Sequence, residues 1–370
     1  MEIFPLKLTS FGLEIAKDSI RVIQVEKKKN QLKVISFGKK EIKEGIVGEE
    51  SIQDEREVAK AILETLKNVK GKAIKTKYVA LSLPEEKVFL EIIKMPKMKE
   101  EELKSAISYE LENHIPLPLN EVYFDFQIIP PIFDSQNQYK ILTICALKKT
   151  VDSYIRTVKL ANLIPVAIES ESLAIARAIL EKNSSLPLII ARIGTTKTNF
   201  ILVENYSIKY SFTCPISSMV FDEAIMKALN VDFEKAKELR VKKGVGQKMK
   251  IYFKNGQISY KIEETPTFEA LIPPLVDFSQ QLQKIISYYQ SYTFDGKSEY
   301  NLRKVEKIIL CGEGAILNGI EDFLSLKLKI PVEVSTFWEK YFEQHIFESS
   351  NANFQEFIIP LGLALKQFYD

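Results

Sequence analysis

One short pattern occurs twice, about half a chain length apart: Phe11-Gly12-Leu13-Glu14-Ile15-Ala16-Lys17-Asp18-Ser19-Ile20-Arg21-Val22 and Ile189-Ile190-Ala191-Arg192-Ile193-Gly194-Thr195-Thr196-Lys197-Thr198-Asn199-Phe200. Each copy is an apolar run, a short turn of small, hydroxyl and lysine residues, and a second apolar run, Ile20–Val25 or Phe200–Val203. The alternation predicts strand, tight turn, strand. A turn of this kind directs backbone N–H groups and hydroxyls at one spot, which suits an anion. Two such turns facing each other suit a polyphosphate, so the repeat constrains the chain to two similar lobes.

Length agrees, because 370 residues exceed what one core usually serves. Hydrophobic residues make up 46% and charged residues 27%, an ordinary globular balance, and a net charge of +2 gives no reason to invoke nucleic acid. Lysine-glutamate stretches such as Lys97–Glu102 read as solvated helix surface. Cys145, Cys214 and Cys311 lie far apart in apolar runs, which supports neither a disulfide framework nor a zinc site and points to a reducing compartment. No apolar run approaches the roughly 18 residues that span a bilayer, so a soluble chain is expected. Only His114 and His345 are available, which disfavours a Ser-His-Asp, Cys-His or multi-histidine metal site; both are expected to be structural.

Strands are expected at Leu13–Ile15, Ile20–Val25 and Leu32–Phe37, with a turn at Lys28-Lys29-Asn30-Gln31, then a helix from Glu55 to Val69 stopped by Gly71, then a buried strand Tyr78–Leu83 ended by Pro84. The order recurs with strands near 188–193, 198–204 and 207–213 and a helix around Phe221–Leu229. Such duplication predicts an α/β fold of two lobes (β-β-β-α-β-α type), each with an inserted subdomain, and a ligand cleft between them. The expected boundaries are 1–84 for the first part of lobe one and 85–162 for its inserted helix and strand subdomain. A return to lobe one with a linking helix takes 163–187, and lobe two starts at 188–221. A mostly helical insertion follows at 222–300, and 301–370 ends lobe two and returns a C-terminal helix to lobe one. In the first insertion an amphipathic helix Glu100–Asn113 halts at Ile115-Pro116-Leu117-Pro118, and strands Val122–Ile129 and Tyr139–Ala146 precede a helix from Val151 to Ala161. The second carries a hairpin, Met249–Phe253 and Gln257–Ile262, turning at Asn255-Gly256.

A third turn, Ile308-Ile309-Leu310-Cys311-Gly312-Glu313-Gly314-Ala315-Ile316-Leu317-Asn318-Gly319, runs from a buried strand through glycines toward a helix, whose N-terminus can receive a phosphate or pack glycine against a base. With the three turns, Ser108–Val122, Ile164–Arg177 and the tail Pro360-Leu361-Gly362-Leu363-Ala364, the chain resembles the actin-like ATPase superfamily. Within it the resemblance is to the type IV pilus assembly PilM family, relatives of the division protein FtsA. The resemblance covers nearly the whole chain and implies an actin-like fold with ATP and Mg²⁺ in the cleft. Lys17, Asp18 and Ser19 then serve the first phosphate turn, and Gly194, Thr195, Thr196, Lys197 and Thr198 the second. Gly312, Gly314 and Asn318 line the adenosine side, Lys284 on a helix Phe278–Tyr289 approaches the nucleoside, and Glu14 reaches Mg²⁺ through water. Hydroxyls, amides and lysine are suited to phosphate charge.

Departures from the family pattern matter as much. Glu14 replaces an aspartate, Arg192 reverses the charge of the second acidic position, Glu313 replaces a glycine, and Ser217-Ser218 replace paired glycines. Arginine is no base, so the expectation is ATP bound weakly or structurally with negligible hydrolysis; the alternative is that Arg192 is a surface residue outside the cleft. The resemblance also implies a groove, between lobe one and its insertion, for the N-terminal cytoplasmic tail of a PilN-like single-pass membrane protein. Leu83, Pro84, Ile115, Pro116 and Leu117 would frame it, or else merely close the module's core. The expected role is a cytoplasmic scaffold, peripheral to the inner membrane through its partner and in contact with other pilus platform proteins. Rival readings are a true ATPase, which would carry both acids, an FtsA-type filament former, which would carry a C-terminal amphipathic membrane helix, and a type II secretion platform component, which would continue into a transmembrane helix.

Overall fold

The computed structural model describes residues 9–29, 31–115, 117–129, 138–180, 186–205, 207–246, 249–254, 257–262, 265–291, 304–343 and 353–369. In chain order the strands are β1 (Phe11–Ile15), β2 (Ser19–Lys28), β3 (Gln31–Glu41), β4 (Lys70–Gly71), β5 (Tyr78–Leu83), β6 (Val88–Pro96), β7 (Val122–Ile129) and β8 (Gln138–Leu147). They continue as β9 (Ile164–Ser170), β10 (Leu188–Ile193), β11 (Thr198–Glu204), β12 (Ser207–Cys214), β13 (Met249–Lys254), β14 (Gln257–Ile262), β15 (Lys307–Cys311) and β16 (Val332–Val334). The α-helices are α1 (Glu55–Lys67), α2 (Glu100–His114), α3 (Lys148–Leu160), α4 (Glu171–Ile179), α5 (Ser218–Leu229), α6 (Phe233–Lys242), α7 (Pro266–Ser291), α8 (Ile320–Leu328), α9 (Phe337–Tyr341) and α10 (Ile358–Leu365). Among the described residues the strands form sheets of order β4-β3-β2-β1-β5-β9, β12-β11-β10-β15-β16, β6-β8-β7 and β13-β14.

The chain divides into two compact units: Met1–Ser184, Asn205–Phe212 and Thr336–Asp370 form one, Ser185–Glu204 and Thr213–Ser335 the other. In the first, β1 pairs antiparallel with β2 and parallel with β5, which in turn pairs parallel with β9. All five residues of β1 are buried, which requires cover on both faces. On one face Phe11, Leu13 and Ile15 pack with Val58 and Ile62 of α1 and Tyr154 and Val158 of α3. The other face belongs to α10, every residue of which is buried. Glycine makes this approach possible: a Cβ on Gly12 would stand 2.0 Å from the Pro360 carbonyl oxygen, and one on Gly362 only 1.9 Å from that of Ala174 in α4.

The inserted module has its own core of Ile93, Leu103, Ile107, Leu111, Ile141 and Cys145 beneath α2. Its sheet has three strands, not the expected two: β6 pairs antiparallel with β8 from Val88↔Ala146 to Pro96↔Gln138. A second correction concerns α1, which ends at Lys67 without the help of Gly71. Asn68 ends the helix, its backbone N–H donating to Glu64 and Thr65 carbonyls, while Gly71 (φ +91°) pairs with Ser36 as part of β4.

In the second unit, β10 pairs antiparallel with β11 and parallel with β15. Helix α7 starts twelve residues before the expected Phe278, at Pro266, where the missing N–H costs nothing, and the Thr265 hydroxyl accepts from the Phe268 N–H at 3.2 Å. The hairpin strands β13 and β14 pair from Met249↔Ile262 to Lys254↔Gln257; the expected turn at Asn255-Gly256 lies outside the described residues.

Candidate functional site

The two echoed turns share one hydrogen-bond design. After β1 the Ala16 N–H donates to the Ser19 carbonyl at 3.0 Å, and after β10 the Gly194 N–H donates to the Lys197 carbonyl at 2.9 Å. Lys17 and Asp18 therefore occupy the first tip, Thr195 and Thr196 the second, as two-residue loops closing Ile15↔Ile20 and Ile193↔Thr198. In the first turn, Lys17 Nζ pairs with Glu49 at 2.5 Å on the surface, and the buried Ser19 hydroxyl donates to Asp18 Oδ1 at 2.7 Å. Beneath it, Glu14 is 1% exposed and its Oε1 lies 3.4 Å from the guanidinium of Arg21, itself 2% exposed. Arg21 also reaches Asp18 and Glu356, each at 3.7 Å, and Lys39 holds Glu356 at 2.7 Å. A divalent cation at Glu14 would stand beside a buried guanidinium of like charge, so this residue does not fit the metal role expected of it.

In the second unit three of the family departures come together. Arg192 is buried, which corrects the alternative of a surface arginine; a Cβ on Gly194 would meet its Nη1 at 3.0 Å and one on Gly312 its Cγ at 3.1 Å. The Ser218 hydroxyl donates to Glu313 Oε1 at 3.0 Å, and Ser217 caps α5 by accepting from the Val220 N–H. The start of α5 is also laid on the second turn: the Ser218 N–H donates to Gly194 O at 2.9 Å, the Met219 N–H to Thr195 O at 3.2 Å, and the Thr198 hydroxyl to Ile216 O at 2.6 Å. Gly312 (φ +85°) and Gly314 close against Ile193, where added Cβ atoms would lie 2.5 Å from its carbonyl oxygen and 2.2 Å from its Cγ2. Protein packing thus already demands both glycines.

Asn318 anchors the far end of this turn, its side-chain amide donating to Lys242 O at 2.9 Å and its backbone N–H to Arg240 O at 3.3 Å. Arg240 and Asp222 form a buried pair (Nε–Oδ1 2.7 Å, Nη2–Oδ2 3.3 Å), and Arg240 Nη1 also donates to Glu313 O at 3.3 Å. Burial pushes the Asp222 carboxyl up, against the pull of Arg240. Gly194, Thr195, Gly312, Gly314 and Asn318 belong to this cluster, whereas Thr196 is exposed at the tip and Lys284 stands on an exposed face of α7. Neither the pairing of Glu313 with Ser218 nor the burial of Arg192 has a signal in the sequence pattern.

The expected groove residues are placed otherwise. Leu83 and Pro84 are buried, Leu83 in the core beneath β1, while Ile115 is buried in the module core and Leu117 packs half-buried against it; Pro116 lies outside the described residues. Leu83 and Ile115 thus close two separate cores. Beside Pro84 stands an acid missed at the sequence level: Glu85 accepts from the Ser211 hydroxyl and from the Ser172 N–H (3.1 Å), and its own N–H reaches Glu171 Oε2 at 3.4 Å. Burial pushes the Glu85 carboxyl up, with hydrogen bonds from Ser211 and Ser172 opposing and Glu171 adding to the rise. His114 is half-exposed between Glu91 (2.9 Å) and Glu110 (3.4 Å), a surface ion pair; its burial opposes charging, yet the two acids raise its pKa overall. His345 lies outside the described residues. All three cysteines are free and buried, and burial pushes Cys145 up to about 11 and Cys311 up to about 12, which removes both as nucleophiles at neutral pH. Among the described residues no cluster of three or more His, Cys, Asp or Glu could hold a metal, and no helix is long and apolar enough to cross a membrane.

Solved structures share this architecture. One described as the PilM-PilN type IV pilus biogenesis complex matches with a TM-score of 0.76 at 23% identity, over 98% of this chain and 99% of the other. The ethanolamine utilization protein EutJ from Carboxydothermus hydrogenoformans matches at 0.52 and 13% identity, over 96% and 89% of the two chains. MreB 5 of Spiroplasma citri bound to AMPPNP matches at 0.52 and 12% identity, over 98% and 97%. These likenesses identify the fold as actin-like. The family described as type IV pilus assembly protein PilM matches residues 12–368, nearly the whole sequence, and the chain therefore belongs to that family.

Proposed function

We propose that this chain is a nucleotide-binding adaptor of the type IV pilus platform at the inner membrane, on the cytoplasmic side. It works by assembly and not by turnover. ATP is held by Lys17, Asp18 and Ser19 at the first turn and by the hydroxyl and lysine groups of Gly194–Thr198 at the second, with Mg²⁺ arriving on the phosphates. What carries the reading is membership of the pilus assembly family together with the duplicated turn, whose tips carry Lys17 and Asp18 in one copy and Thr195 and Thr196 in the other. Arg192, standing where the family pattern has an acid, disfavours hydrolysis: a guanidinium stays protonated and cannot accept a proton from water.

The partner in this reading is the N-terminal cytoplasmic tail of a PilN-like single-pass membrane protein, which also gives the chain its indirect membrane association. A solved relative described as a PilM-PilN complex supports that choice. The inserted module is the favoured dock, since its edge strands β6 and β7 carry the exposed Phe89, Tyr123 and Ile128, and an extended tail can add to an open edge. The test is calorimetric titration with a peptide copying such a tail, against the wild type, Tyr123→Ala and a Pro116→Ala, Leu117→Ala double variant. Weaker binding to Tyr123→Ala alone places the tail on β7, weaker binding to the double variant alone places it at the helix-breaking segment, and no binding to any of the three refutes the partner.

A further inference from the structure

The first three amides of α5 are all engaged by the chain itself. Four donors need partners at the start of any helix. Here the Ser218 N–H goes to Gly194 O, Met219 to Thr195 O and Val220 to the Ser217 hydroxyl, while Phe221 already makes the first intrahelical bond, to Ser217 O. Oxygen atoms of the chain itself thus hold donors that a phosphate would otherwise need. A negative charge is supplied as well: the Glu313 carboxylate accepts from the hydroxyl of Ser218, the first residue of α5, where the helix dipole favours an anion.

From this arrangement we infer that Glu313 is a built-in counter-anion that makes the second unit discriminate against the phosphate charge of a nucleotide while leaving the nucleoside unaffected. The inference rests on the proposed ATP binding and deepens it. Of the other charges at this place, Asp222 is tied to Arg240, and the Arg192 side chain lies against Gly194 and Gly312, so Glu313 acts beside one cation. Glu313 makes its charge felt locally, because after burial it is among the groups that raise the Asp222 carboxyl. A polyphosphate entering at the second turn meets a like charge, offset in part by the Arg192 guanidinium against Gly194, and α5 amides already engaged, whereas an uncharged nucleoside has no charge for Glu313 to repel.

The experiment compares equilibrium binding of ATP, ADP and adenosine to wild type, Glu313→Gln and Ser218→Ala, with a thermal melt of each variant to verify folding. Glutamine keeps an acceptor for Ser218 and removes only the charge. It is expected to tighten ATP roughly fivefold, the scale of a single screened charge interaction, ADP by less, and adenosine not at all. The gain shrinks at 1 M salt, since screening at that strength reaches down to about 3 Å. Ser218→Ala keeps the charge and leaves the ratio of ATP to adenosine affinity at the wild-type value. If the wild type binds ATP and Glu313→Gln either leaves it unchanged or tightens ATP and adenosine alike, the counter-anion role is overturned while the nucleotide reading stands. If neither ATP nor adenosine binds wild type or variant, both fail together.

Discussion

Asp222→Ala is expected to unfold the second unit far more readily than any surface change. Asp222 and Arg240 are each 2% exposed at the side chain, and both carboxylate oxygens are engaged, at 2.7 and 3.3 Å. Removing the acid leaves a buried guanidinium without its counter-charge, a loss of roughly 3–5 kcal/mol. The damage spreads, because Arg240 also donates to Glu313 O and its own carbonyl receives the Asn318 N–H, so the Gly312–Asn318 segment loosens as well. With a urea dependence of about 1–3 kcal/mol per molar, the midpoint falls by roughly 2 M. The control is the double variant Asp222→Leu, Arg240→Met, which removes both charges and fills the space; it should recover most of the loss, since apolar replacement of a whole buried pair is neutral or stabilising. Urea melts followed by circular dichroism give the magnitudes, and hydrogen exchange in α5 and α6 locates them. A single variant within about 0.5 kcal/mol of wild type, the range of ordinary surface substitutions, would mean that Arg240 does not depend on Asp222 for its burial, as would a double variant weaker than the single.

Two further perturbations probe the first unit. Gly362→Ala drives a methyl into the Ala174 carbonyl and forces α10 away from α4, with an expected cost of about 1–3 kcal/mol; a thermal midpoint equal to wild type would mean that this contact is slack. The second concerns Glu85, whose folded pKa is raised above its unfolded value, so the folded state retains a proton that the unfolded state has released. Its contribution is therefore most favourable below the unfolded value and is lost as pH rises from there through the folded value. Glu85→Gln should flatten the fall in stability as pH rises above about 4.5 in urea melts, and an unchanged slope would contradict the assignment.

Much of the scaffold is legible in the sequence where local signals are sharp. Strands β5 and β7 fall on the expected residues because proline or polar turns bound them, and the echoed turns match down to corresponding hydrogen bonds from Ala16 and Gly194. Strand β6 is hidden because Glu91 and Lys94 interrupt its apolar run, and it exists by pairing with β8, a partner far along the chain. The site is less legible, for a similar reason. An apolar residue beside proline carries no sign of which way it faces, and Leu83 and Ile115 turn into cores. Nor does a charged residue announce its burial: Glu85 and Arg240 are buried because tertiary partners match them, Arg192 is buried against Gly194 and Gly312, and Glu313 matters only because α5 begins at Ser218 beside it.

Whether bound ATP is turned over decides between an adaptor and an enzyme. The decisive measurement is steady-state phosphate release at saturating ATP·Mg²⁺, with equilibrium binding of ATP measured on the same preparation with and without the partner-tail peptide. Retained ATP with no release above the uncatalysed background, in the presence of peptide as in its absence, is the predicted result. Sustained phosphate release that Arg192→Asp fails to increase would contradict it and make this member of the family an enzyme.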